Sequence, residues 1–396
     1  MTTDVQGLGA GDSKLRDPRV RAIIYQILVI VLFVAFVAYV GNNTADNLDK
    51  RGIATGLGFL QQPSGFGIGI VLLMDYSSQT STHFDVLLIG IINTLAVSIA
   101  GIFFATLIGF TFGVLRLSKN WVVSRIAYVY IEVVRNIPLL VQLLFWYFAV
   151  WGTLPLWKES FQIGDNFYVN NRGINFPSII PTDGFWLIPV GLLAAIALSV
   201  VVSKWARKRQ DLTGQPFPVF WASVGMIVIL PLIAAIIMGL PFNIDYPTVA
   251  RFGLRGGWVL EPEFLALLTG LCVYTGAFIA EIVRSGINSV SHGQTEAAHS
   301  LGIAPGLTTR LVVLPQALRV IVPPLTSQYL NLLKNSSLAT AIGYADITAI
   351  FAGTTLNQTG QAIEVIAITM LFYLSISLII SMFMNWYNKR ISLVER

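Results

Sequence analysis

The 396-residue chain is 55% hydrophobic, carries only 11% charged residues where a soluble domain has roughly 25%, and bears a net charge of +5. Such a chain needs lipid as part of its solvent, which excludes an ordinary soluble two-domain enzyme. The lone Cys272 excludes an intramolecular disulfide or a cysteine metal cluster, and His83, His292 and His299, with no HExxH spacing, argue against a zinc site.

The predicted elements are apolar blocks, each read as a membrane-spanning helix of about 20 residues. In chain order they run 22–40, 86–113, 126–150, 185–203, 219–240, 263–284, 318–342 and 363–386. The first follows Lys14, Arg16, Arg19 and Arg21 and is too long for the apolar part of a signal peptide, so it reads as an uncleaved anchor. Between spans one and two, Gly52 to Ile70 carries Leu57, Phe59, Leu60 and Phe66 among glycines, which predicts an amphipathic or re-entrant piece at the membrane face. Residues 151–184 and 241–262 read as further interfacial connections, with Trp157 and Tyr168 as belt anchors. Counting Lys and Arg by side, with the N-terminus inside, gives 17 in the inner loops and 6 in the outer ones. That asymmetry places both termini in the cytoplasm and explains the positive charge without nucleic acid.

The inner loop after span six holds the most specific pattern. It contains Glu296, Ala297 and Ala298, then Gly302 after three residues, then Val312, Leu314 and Pro315 after nine more. This resembles the EAA motif of ATP-binding cassette (ABC) importer permeases at every spacing, with Val312 where isoleucine is commonest. The residues themselves predict a stiff elbow: a helix from Gln294 to Leu301, a turn at Gly302, and Pro305 at the first position of a second short helix. The resemblance implies that the loop, with Gly293, Gln294 and Glu296 to Ala298 at its centre, is gripped by a separate ATPase subunit, and that Glu296 faces a basic groove there. No GxxxxGK[ST] loop occurs in the chain, so ATP and magnesium are assigned to that partner and no cofactor to this chain.

Polar residues interrupt three spans. The run IEVVRNIPLL places Glu132, Arg135, Asn136 and Pro138 in span three. It is similar to the corresponding helix of the polar amino acid subfamily of these permeases. A charge at mid-membrane costs about 2.5–3.5 kcal/mol on insertion scales, so Glu132 and Arg135 should pair, lie near the inner surface or line the pathway. Pro138 should kink the helix. Glu281 and Arg284 repeat the three-residue spacing beside the coupling loop, as a load-transmitting pair or a snorkelling surface pair. In span seven, Gln328, Asn331, Lys334, Asn335, Ser336 and Ser337 must face protein or a wet cavity. Lys334 there would meet a substrate carboxylate or pair with Glu364.

The resulting expectation is an all-α polytopic membrane protein of about eight transmembrane helices, built on a five-helix ABC importer permease core with an extra N-terminal helix and inserted helices. Its parts are 1–85 (tail, extra helix and outer loop), 86–150 (first part of the core), 151–262 (inserted loop and two helices) and 263–396 (second part of the core, with the coupling loop at 286–320). The plan looks like the long permease subunits of general L-amino acid import systems. It implies an inner-membrane complex with ATPase subunits, a second, related permease, a periplasmic binding protein and an amino acid as cargo. An ion-coupled secondary transporter or channel is the alternative, and a membrane enzyme is disfavoured because no nucleophile–base pair or metal-ligand cluster sits at a span end.

Overall fold

The computed structural model describes residues 18–50, 52, 55–164, 166–251 and 253–391, so the basic tail with Lys14 and Arg16 and the residues after 391 lie outside the description. Two helices form the centre: α2 (His83–Arg116, after α1 at Pro18–Lys50) and α7 (Pro262–Asn288). A complete capping box starts α2, with the Thr82 side chain accepting from the Asp85 N–H and the Asp85 carboxylate accepting from the Thr82 N–H. Lipid offers no hydrophobic drive between helices, so contact depends on small residues that let backbones approach. Gly109 and Gly113 provide this: a Cβ would fall 2.4 Å from Ile279 Cβ at the first and 2.7 Å from the Ala280 carbonyl oxygen at the second. The later core helices α10 (Leu314–Asn335) and α12 (Ala362–Ile391) add to this centre, α10 against α7 and α12 against α10.

The eight predicted spans map onto six long apolar helices, one sharply bent pair, and α10, which is too polar to count by composition alone. The bent pair corrects the third span. It is not one kinked helix but α3 (Trp121–Asn136) and α4 (Leu139–Leu144, continued as a π-helical turn to Trp151), bent by 107°. Pro138 forces Ile137 into extended backbone, and the chain leaves at a new angle. Gln142 then donates from Nε2 to the Val134 and Ile137 carbonyls, both at 2.9 Å, satisfying groups that the break exposes.

The connections at 151–184 and 241–262 are also not simple loops. Between α4 and α7 the chain forms β1 (Phe161–Ile163), β2 (Phe167–Asn170), β3 (Gly173–Phe176) and β4 (Ser178–Pro181). A helical hairpin follows, α5 (Leu187–Thr213) and α6 (Val219–Ile237). The chain then returns as β5 (Phe242–Asp245), β6 (Thr248–Ala250), β7 (Gly253–Arg255) and β8 (Trp258–Leu260). The strands pair antiparallel: β1-β2-β3-β8 form one sheet, β4 with β5 and β6 with β7 form ribbons, and the β3–β8 and β4–β5 pairs reach across the hairpin. Ile174 lies opposite Leu260 and Ile179 opposite Ile244, so the two ends of the insertion are stitched together above the membrane helices.

The stretch predicted at the membrane face is likewise packed on protein. Residues 58–61 form a 3₁₀ turn, and Phe59 is buried with its ring centre 6.3 Å from those of His83 and Phe351. Further along, Asn93 Nδ2 donates to the Ile70 and Ala345 carbonyls, tying the outer segment to the core.

Candidate functional site

The elbow predicted between Gln294 and Pro315 is built as its residues dictate, with one correction. Helix α8 (His292–Ser300) carries Gly293, Gln294, Glu296, Ala297 and Ala298, and only Ala298 turns inward, 4% exposed. The helix ends in a Schellman motif: the Ile303 N–H donates to the Ala298 carbonyl, the Gly302 N–H donates to that of His299, and Gly302 takes the left-handed φ of +73°. Pro305 opens α9 (Pro305–Thr308). The second arm is not a separate short helix, however. It continues through a π-helical turn, Thr309–Val313, directly into α10 at Leu314 and Pro315. Widening of the ladder just before Pro315 accommodates a ring and a missing N–H that an unbroken α-helix would not.

The elbow's outer surface is solvent-facing and mixed in character. Glu296 lies 3.1 Å from His292 Nδ1, with both side chains exposed. Around them stand Leu301 (80% exposed), Leu311 and Leu307, apolar knobs on a segment with no lipid-crossing helix of its own. The signal for them in the sequence is a set of isolated apolar residues around the turn, at 301, 307 and 311.

Along the seam between α7 and α10 lies a half-open cleft of about 240 Å³ lined by Tyr274, Thr275, Phe278, Gln328, Asn331 and Asn335. The three amides had been predicted to face protein or water; the α7 residues had not been singled out, because nothing in their spacing distinguishes them from core. Arg135 reaches this place from α3, its guanidinium 5.2 Å from the Phe278 ring centre and its Nε buried without a hydrogen-bond partner. One turn along α7, Arg284 and Glu281 form the expected two-pronged ion pair, at 2.6 and 2.9 Å, and Arg135 and Arg116 stand within electrostatic reach of the same carboxylate.

Two expected pairings do not form. Glu132 makes no ion pair with Arg135; its backbone carbonyl accepts from Asn136 Nδ2 instead, because Arg135 turns toward α7. Lys334 is exposed and does not meet Glu364, whose Oε1 accepts from the Gly56 N–H at 2.7 Å. Pro138 acts at the break and not at the cleft.

A second polar cavity, about 440 Å³, opens under the strand layer between Tyr147, Trp157, Asn171, Arg172, Asn175, Glu261 and Glu263. Tyr147 donates to Glu263 at 2.8 Å. Burial, with help from the Glu263 charge, pushes the Glu261 carboxyl up to about 7. Among the described residues no group of three or more His, Cys, Asp or Glu gathers to hold a metal.

Residues 187–393 match the family described as the binding-protein-dependent transport system inner membrane component. The chain belongs to that family. It is 50% identical over its full length to the general L-amino acid transport system permease protein AapQ of Rhizobium johnstonii, covering 98% of that protein. It is 48% identical over 98% of its length to a putative amino-acid ABC transporter permease protein, YhdX, of Escherichia coli, again covering 98% of it. Over 96% of both chains it is 43% identical to BztB of Rhodobacter capsulatus, a glutamate/glutamine/aspartate/asparagine transport system permease protein. This permease is therefore a membrane-embedded transporter component and not an enzyme; its ATPase is a separate subunit, and its place is the inner membrane beside ATPase and binding-protein partners.

Proposed function

We propose that this permease moves L-amino acids into the cytoplasm by alternating access, as half of a heterodimer with a second, related permease. The observation that carries the reading is mechanical. The elbow that an ATPase would grip is continuous, through Pro305 and the π-helical turn, with α10, and α10 presents Gln328, Asn331 and Asn335 to the seam. A push on α8 therefore reaches the polar cleft without crossing a flexible loop, the requirement for ATP closure to reshape a pathway. Amino acid cargo is supported by the names of the relatives and by amides that suit an ammonium and a carboxylate.

In this reading Gly293, Gln294, Glu296, Ala297, Ala298, Gly302, Leu314 and Pro315 form the coupling element. Arg135, Glu281, Arg284 and Asn335 belong to the pathway or its gate; Glu132, Asn136 and Pro138 shape the bend beside it, and Lys334 faces outward from this half toward the second permease. Both termini lie in the cytoplasm. The parts 1–85, 86–150, 151–262 and 263–396 divide as extra anchor, core, insertion and core.

The test is ATP-driven uptake of labelled L-amino acids by the complete transporter in proteoliposomes. Glu296→Lys and Gly302→Asp are expected to abolish uptake while the subunits still assemble. Normal uptake in both variants would overturn the coupling assignment, and uptake without any ATPase would favour an ion-driven carrier.

A further inference from the structure

The α5–α6 hairpin is joined to the rest of the molecule mainly by its strands, and its membrane portion is almost wholly exposed. Where its inner end approaches the last turn of α12, an open cleft of about 500 Å³ remains. Lys204 and Arg207, one turn apart on α5, line it together with Arg390 of α12, whose guanidinium is held 4.3 Å over the Trp386 ring. Ser199 and Ser203 of α5 and Ser223 of α6 follow, and Ile196, Val200 and Ile227 form the walls. No acid lines the cleft, and none of the three cations takes part in an ion pair among the described residues.

The order of these groups is that of an amphiphile. From the hairpin tip toward the membrane centre α5 presents Arg207, Lys204, Ser203, Val200, Ser199 and Ile196 in turn, and α6 presents Val219, Ser223 and Ile227, so the cations stand at the tip end and the deeper part is mainly aliphatic. Topology-setting charge accounts for cations near the inner surface, but not for three of them converging from elements far apart in sequence on one cleft with hydroxyls behind them. A free anion would have no use for the aliphatic walls, and a zwitterionic headgroup would bring its ammonium up against three positive charges.

We propose that this cleft holds an anionic phospholipid of the inner leaflet. Its phosphate lies among Lys204, Arg207 and Arg390, its glycerol and ester oxygens take hydrogen bonds from Ser203 and Ser223, and its chains run along Ile196, Val200 and Ile227, filling the gap between hairpin and core. The inference rests on the inward orientation of the hairpin tip and not on the identity of the cargo.

Native mass spectrometry of the full-length chain, purified with its co-expressed partners and exposed to phosphatidylglycerol or phosphatidylethanolamine, tests this. Phosphatidylglycerol should be retained in preference to phosphatidylethanolamine. Each cation removed should lower retention about fivefold, so Lys204→Gln, Arg207→Gln and Arg390→Gln combined should lower it more than tenfold. Equal retention of the two lipids, or wild-type retention by the triple variant, overturns the proposal. Should the triple variant not assemble, Arg390→Gln alone, at the exposed end of α12, decides: unchanged retention overturns it. Release of the lipid by millimolar inorganic phosphate would show a headgroup-only anion site and also overturn it. Uptake by the same preparations reports separately on the import reading.

Discussion

Arg135 stacks its guanidinium over the ring of Phe278, 5.2 Å from the centre, and so joins the bent third span to the polar seam between α7 and α10. A desolvated cation–aromatic contact is worth about 2 kcal/mol. Because Glu132 does not pair with it, Arg135 depends on this ring and on the nearby Glu281 charge for its stability inside the membrane. Arg135→Gln and Phe278→Leu should each depress uptake, and the double variant should be no worse than the poorer single one. Fully additive losses would show that the two act independently.

The 107° break imposes a debt of backbone carbonyls, and Gln142 settles two of them. It is 7% exposed, so its replacement by an apolar residue leaves those groups with little access to water. Leaving a buried acceptor unsatisfied costs about 1–3 kcal/mol. Gln142→Leu, close in volume, should therefore lower the thermal stability of the detergent-solubilised protein measurably. Gln142→Glu restores at most an acceptor and should not rescue it. An unchanged melting temperature in Gln142→Leu would mean that water fills the break.

Leu301, 80% exposed, and Leu307, 50% exposed, flank the Schellman turn and are left largely uncovered by the described residues. Burying a leucine on association stabilises a complex by about 1.5–3 kcal/mol. Leu301→Glu should weaken co-purification of the ATPase by about tenfold or more while leaving the membrane fold intact, since its side chain supports nothing in this chain. Retention of the ATPase at wild-type levels would move the docking face elsewhere on the elbow.

The apolar helices were legible in the sequence because lipid demands long uninterrupted hydrophobic runs, and the elbow because Gly302 readily takes the left-handed turn that ends α8 while Pro305 is fixed in φ for a helix start. The strand layer was not legible. Its strands are three or four residues long, and β3 with β8 and β4 with β5 pair across the α5–α6 hairpin, so no local period announces that Ile174 will meet Leu260. Lys334 and Glu364 looked like partners because each was an unpaired charge in an apolar context. The fold gave Glu364 to the Gly56 N–H, a pairing between chain segments that spacing alone does not reveal. Pro138 announces a kink, but not the 107° bend, nor that the Gln142 amide would donate to the carbonyls of the broken helix end.

The cavity under the strand layer supplies a pH dependence with a definite sign. Glu261 lies just ahead of α7 in a polar pocket with Glu263, Tyr147 and Arg172, and its carboxyl is raised from an ordinary 4.5 to about 7 by burial and by the neighbouring carboxylate. The folded protein thus holds this proton more tightly than the unfolded chain does. Its contribution to stability is complete below the unfolded value and is lost as pH rises through about 7, the opposite of a salt-bridged carboxylate. Thermal stability of the purified protein should therefore fall between pH 5 and pH 8, and Glu261→Gln, which is neutral throughout, should remove most of that fall. Glu263→Gln should shift the fall to higher stability at neutral pH by taking away the repelling charge. A Glu261→Gln variant that keeps the wild-type pH profile would show that the titrating group is elsewhere.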